Sequence, residues 1–66
     1  MTDHPKTVSL AVELTDAEAW NLAQFLKRVG FSDFRSNAQD EAEAYAMRDA
    51  ADRIAVALRE AGYAPR

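Results

Sequence analysis

One segment limits this chain more than any other: Val8-Ser9-Leu10-Ala11-Val12-Glu13-Leu14, in which large apolar residues alternate with small or polar ones. Alternation with a period of two is the pattern of a half-buried β-strand. Val8, Leu10, Val12 and Leu14 would share one face, and Thr7, Ser9, Ala11 and Glu13 the other. Everything after this segment reads as helix. A lone strand leaves its backbone N–H and C=O groups without ladder partners. The economical remedy is a second copy of the chain donating the same strand antiparallel across a two-fold axis. The expected fold class is therefore α+β, one N-terminal strand followed by two helices (β-α-α), with Val8, Leu10, Val12 and Leu14 forming the ribbon of a homodimer.

Size argues the same way. A chain of 66 residues buries only about 60% of its unfolded surface on folding. It contains no cysteine, so disulfides and thiolate metal sites cannot supply stability. Apolar residues make up 48% of the chain, but many are alanine, which makes the core thin and leaves oligomerisation as the usual remedy. The formal net charge of −3 weakens any non-specific attraction to nucleic acid or anionic membrane. No apolar run approaches the roughly 20 residues of a bilayer span. The start, Met1 to Lys6, lacks the basic and then apolar pattern of a signal peptide. The expected location is the cytoplasm. Residues 1–6 read as a flexible leader, and residues 7–66 as a single β-α-α domain.

Thr15-Asp16-Ala17-Glu18 opens the first helix with a capping box, in which the Thr15 hydroxyl accepts from the Glu18 amide and the Glu18 carboxylate from the Thr15 amide. The pattern carries this helix to Val29, with Gly30 as a left-handed stop and Phe31 folding back on Leu26. Ala19, Leu22, Phe25, Leu26 and Val29 lie along its apolar stripe. Residues 31–37 read as a connection, with Phe31 and Phe34 plugging the end of the helix pair. The second helix starts from Ser36 or from Asp40, each followed three residues later by Gln39 or Glu43. It runs to Ala61, ends at Gly62, and repeats the closing contact with Leu58 and Tyr63. Its apolar face holds Ala44, Met47, Ala50, Ala51, Ile54, Ala55, Leu58 and Ala61.

The inventory disfavours catalysis. The one histidine, His4, sits in the leader, there is no glycine-rich phosphate loop, and Ser9, Ser32 and Ser36 have no base nearby in sequence. No cofactor and no metal are expected. The acidic cluster Asp40-Glu41-Ala42-Glu43 suits a cation or a phosphate mimic, but carboxylates at a helix start also stabilise its dipole by about 0.3–1 kcal/mol each. Asp49 with Arg53 and Arg48 with Asp52 have the spacing of a solvated, self-paired face. Two aromatics stand apart. Trp20 lies roughly 140° from the centre of its helix's apolar stripe, and Tyr45 is similarly displaced beside Asp49, Asp52 and Val56. Tryptophan and tyrosine are enriched at interface hot spots, though Trp20 would equally serve by covering the strand ribbon or a partner subunit. Trp20, Tyr45, Asp40, Glu41, Glu43, Asp49 and Asp52 are the candidate partner-binding residues.

The order of strand, capped helix, glycine and second helix resembles the ribbon-helix-helix repressors, whose paired strands enter the major groove of DNA. The resemblance is one of layout. The outward face Thr7, Ser9, Ala11 and Glu13 offers no base-reading side chain, and Asp40, Glu41 and Glu43 stand where that family holds a phosphate. Leu14 to Trp20, Phe25 to Asp33 and Glu60 to Arg66 are similar to a group of short proteins of unknown function associated with bacterial plasmids, integrative elements and phages. That resemblance implies a mobile-element accessory role. The expected function is a small acidic, non-enzymatic protein-interaction module, such as an inhibitor of a host defence or nucleic-acid-handling complex. The alternative is a ribbon-helix-helix-like, dimeric DNA-binding regulator.

Overall fold

Among the described residues three helices form the secondary structure: α1 (Asp16–Arg28), α2 (Phe31–Ser36) and α3 (Glu41–Glu60). The computed structural model describes residues 6–65; His4 and the rest of the leader up to residue 5 lie outside the described residues. Residues 6–15 run without regular structure into α1, and no strand occurs among the described residues. The α+β expectation is therefore corrected to an all-helical fold, and Val8, Leu10, Val12 and Leu14 form no ribbon. Period-two alternation says where side chains point, but a strand exists only against another strand, and the described residues offer none. Val8, Leu10 and Val12 are more than 70% exposed. Without a ribbon, the likeness to ribbon-helix-helix proteins does not extend to the fold.

Local signals set the helix boundaries. At α1 both halves of the capping box form, Glu18 N–H to Thr15 Oγ1 at 3.1 Å and Thr15 N–H to Glu18 Oε1 at 2.9 Å. The helix ends differently from expectation. Val29 is extended and its amide still reaches the Phe25 carbonyl at 2.9 Å, while Gly30 has φ −106° and ψ 168° rather than a left-handed conformation. Gly30 instead opens a new helix: its amide donates to Asp33 Oδ2 at 2.9 Å. The segment read as a connection is thus mostly α2.

Asp40, not Ser36, caps α3. Its Oδ1 accepts from the Glu43 amide at 2.8 Å, and Glu43 Oε1 accepts from the Gln39 amide at 3.0 Å. At the other end Gly62 takes φ +102°. The Gly62 amide donates to the Arg59 carbonyl at 3.0 Å and the Tyr63 amide to the Leu58 carbonyl at 2.8 Å. This is the paired-bond stop expected from sequence, and it turns Tyr63 back onto the core beside Leu58.

Helix α3 contacts both of the others, whereas α1 and α2 meet only through it. The core is small. Ala19, Ala23 and Leu58 are buried together, with Leu22, Leu26 and Tyr63 packed around them, and Ala44 is fully enclosed. Phe25 and Ile54, read as core, are exposed. The Cα radius of gyration is 13.7 Å, against about 11 Å for a compact chain of this length. The irregular segment before α1 contributes to this extension, and Val8, Leu10 and Val12 within it are exposed.

Candidate interaction surface

The two aromatics singled out from sequence occupy opposite ends of the molecule. Trp20 on α1 meets Tyr63 edge to face, with ring centroids 5.1 Å apart and planes at 72°. Tyr63 is fixed in turn by Asp16, whose Oδ1 accepts from the phenol at 2.7 Å. The start of α1, its second turn and the residue after Gly62 are thereby tied together. Trp20 remains 40% exposed, so Tyr63 covers one side of the indole and leaves the other to solvent. Tyr45 lies near the start of α3 against Phe31 of α2, centroids 4.7 Å apart. The Arg48 guanidinium sits 5.0 Å from the centre of the Tyr45 ring, a cation–π placement. About 20 Å of helix separates the Tyr45 and Tyr63 ends of α3, at ~1.5 Å per residue. Trp20 and Tyr45 do not form one patch.

The acidic candidates divide by role. Asp40 and Glu43 are occupied in capping α3, and Glu41 lies exposed in its first turn. Asp49 accepts from Arg48 at 3.2 Å, a contact between chain neighbours in place of the two four-residue pairs read from the spacing. Exposed pairs of this kind are worth about 0–1 kcal/mol. Asp52 is exposed. Among the described residues no group of three or more His, Cys, Asp or Glu side chains could hold a metal ion, and no helix is long and apolar enough to cross a membrane.

Among the described residues, one concave surface along α1 is polar and another is apolar. The polar one is open and lies among Asn21, Gln24, Arg28, Asp33 and Asn37, with Phe25 and Val29 in its floor. The apolar one is a groove of about 600 Å³, formed by Leu22 and Leu26 of α1 and Ile54 and Leu58 of α3 and bordered by Leu10, Val12 and Leu14. The alternating segment thus edges a groove instead of building a sheet. Sequence reasoning missed the link from Trp20 through Tyr63 to Asp16. Gly62-Tyr63 signalled a folded-back aromatic, but which α1 side chain it meets depends on the approach of two helices distant in sequence.

The Asp16–Tyr63 bond has a testable pH signature. Hydrogen bonding to Asp16 raises the phenol above its ordinary pKa of 10.0, with burial and the nearby negative charge acting in the same direction. A raised folded-state pKa means that the stabilisation is fully present below the unfolded value and is lost as pH rises through the folded one. The midpoint of thermal unfolding should therefore fall above pH ~10, and more steeply in the wild type than in Tyr63→Phe. Equal slopes for the two chains would show that Asp16 does not hold the phenol in solution.

A family of unknown function, DUF7706, matches residues 1–66. No curated protein and no solved structure matches the chain.

Proposed function

Because the chain belongs to DUF7706, a family of unknown function, membership brings no activity with it, and we propose on physical grounds that the protein is a non-enzymatic protein-interaction module. One observation carries this reading. Among the described residues nine large apolar side chains are left exposed, Trp20, Phe25, Tyr45, Ile54 and Val56 among them, while three of the four buried core residues are alanines. A chain that hides so little of its apolar surface is built to hide more against another protein. The side-chain inventory supports the non-enzymatic part: there is no cysteine, and the lone histidine lies in the leader.

Within that class, the net charge of −3 and the exposed Glu41, Asp49 and Asp52 of α3 favour a basic partner surface. This fits an acidic inhibitor of a host defence or nucleic-acid-handling complex, in the mobile-element setting implied by the sequence resemblance. Charges of this kind steer encounter more than they hold the complex. The test is affinity capture from cells that carry the gene, with quantitative mass spectrometry, comparing wild type, Trp20→Ala and Tyr45→Ala. A specific protein should be recovered with the wild type, and its recovery should fall by about tenfold or more with at least one variant, as for an aromatic anchor worth over 1.4 kcal/mol. Recovery of the same proteins at wild-type levels by both folded variants would overturn the aromatic-anchor reading.

A further inference from the structure

We infer that Tyr63 and Asp16 are positioning residues for the Trp20 anchor: they hold the indole in one orientation, so that a partner meets a fixed face and not a freely rotating side chain. The inference rests on the interaction reading above and adds two residues to the same site. Asp16 and Trp20 stand four residues apart on α1, one above the other on the same face. Tyr63 arrives from beyond the end of α3 and spans both. Its phenol donates to Asp16 Oδ1 at 2.7 Å, and its ring meets the indole with centroids 5.1 Å apart and planes at 72°.

Each support of this bridge is itself fixed. Asp16 lies in the first turn of α1, directly after the capping residue Thr15, which is bonded both ways to Glu18. The Tyr63 backbone is pinned by its amide to the Leu58 carbonyl at 2.8 Å, in a turn that places Gly62 at φ +102°. The ring is therefore held at both ends, by the main chain at one and by Asp16 at the other. An indole 40% exposed and without such a neighbour would sample several rotamers and lose that freedom on binding. Here the ordering precedes the partner, and a rotamer locked by supporting residues is what a precise anchor needs.

The chain has one tryptophan, so fluorescence excited where only tryptophan absorbs reports Trp20 alone. In the wild type its anisotropy should decay with the tumbling of the whole molecule. A large fast component, from indole rotamer motion on the nanosecond scale or below, would overturn the inference with no variant involved. Tyr63→Phe keeps the ring and removes the tether, and Asp16→Ala removes it from the other side. Both should gain the fast component while keeping the helical circular dichroism signal. Asp16→Asn keeps an acceptor oxygen and should behave as the wild type, a rescue that a general loss of stability would not show. In the affinity capture, Tyr63→Phe should recover the partner about two- to tenfold less well, the cost of ordering one side chain. Unchanged anisotropy in Tyr63→Phe overturns the inference whatever the capture result. If Trp20→Ala loses the partner while the mobile Tyr63→Phe chain keeps it or binds it more strongly, the inference fails alone. If Trp20→Ala keeps the partner, the anchor reading fails and takes the inference with it.

Discussion

Leu58→Ala should abolish the cooperative thermal transition of this protein and strip much of its helical circular dichroism signal. Leu58 is 8% exposed and is the single large side chain among the four buried core residues; the others are Ala19, Ala23 and Ala44. It joins α1 to α3 in the main cluster, with Leu22, Leu26 and Tyr63 against it. A buried Leu→Ala change costs about 2–5 kcal/mol, the lost transfer free energy plus the cavity left behind. A core in a chain this small supplies about 3–5 kcal/mol in total. The loss is then as large as the stability it is taken from. Leu58→Met, which keeps the volume, should cost less than about 1.5 kcal/mol and retain the transition. A Leu58→Ala chain that unfolds within a few degrees of the wild type would mean that the α1–α3 seam is not what holds the fold.

Ala44→Leu should have the next largest effect, at the opposite end of α3. Ala44 has 0% exposure and sits beside Tyr45, the residue on which Phe31 of α2 packs. Three added carbons have no space there and must push the neighbouring elements apart, at about 1–3 kcal/mol. The damage should be local. In NMR spectra the amides of α2 should lose hydrogen-exchange protection before those of α1, and urea unfolding should give the total loss. Ala42→Leu, two residues earlier and exposed, is the control and should change stability by less than about 0.5 kcal/mol. Equal stability of the Ala44 and Ala42 variants would show that α2 does not pack tightly on α3.

Short-range chemistry was legible in the sequence, and long-range placement was not. Thr15 with Glu18 and Asp40 with Glu43 act over three residues, and Gly62 with Tyr63 closes on Leu58 over five, so their spacing carries the outcome. The Val8 to Leu14 alternation misled because a strand is a relation between two segments, and the described residues hold no second segment for it to pair with. Gly30 misled for another reason. Glycine tolerates both the left-handed stop and the extended start of a helix, and the deciding signal was Asp33, whose carboxylate receives the Gly30 amide. The candidate site was half readable. The displacement of Trp20 and Tyr45 from their apolar stripes agrees with their exposure, but their partners Tyr63 and Phe31 come from other elements, and helical spacing carries no information about those.

The bridging position of α3 has a consequence for how the molecule opens. Since α1 and α2 are each held by α3 and not by one another, the protein resembles the shortest possible nearest-neighbour stack, in which stability is a sum over adjoining pairs. Fluctuations that release α2 need not disturb the Leu58 cluster, and those that release α1 need not disturb Ala44. Hydrogen exchange of α2 should then report partial opening at a lower free energy than global unfolding. A partner that engages one end can capture such an excursion while the other end stays folded, which gives a 66-residue chain two separately adjustable halves.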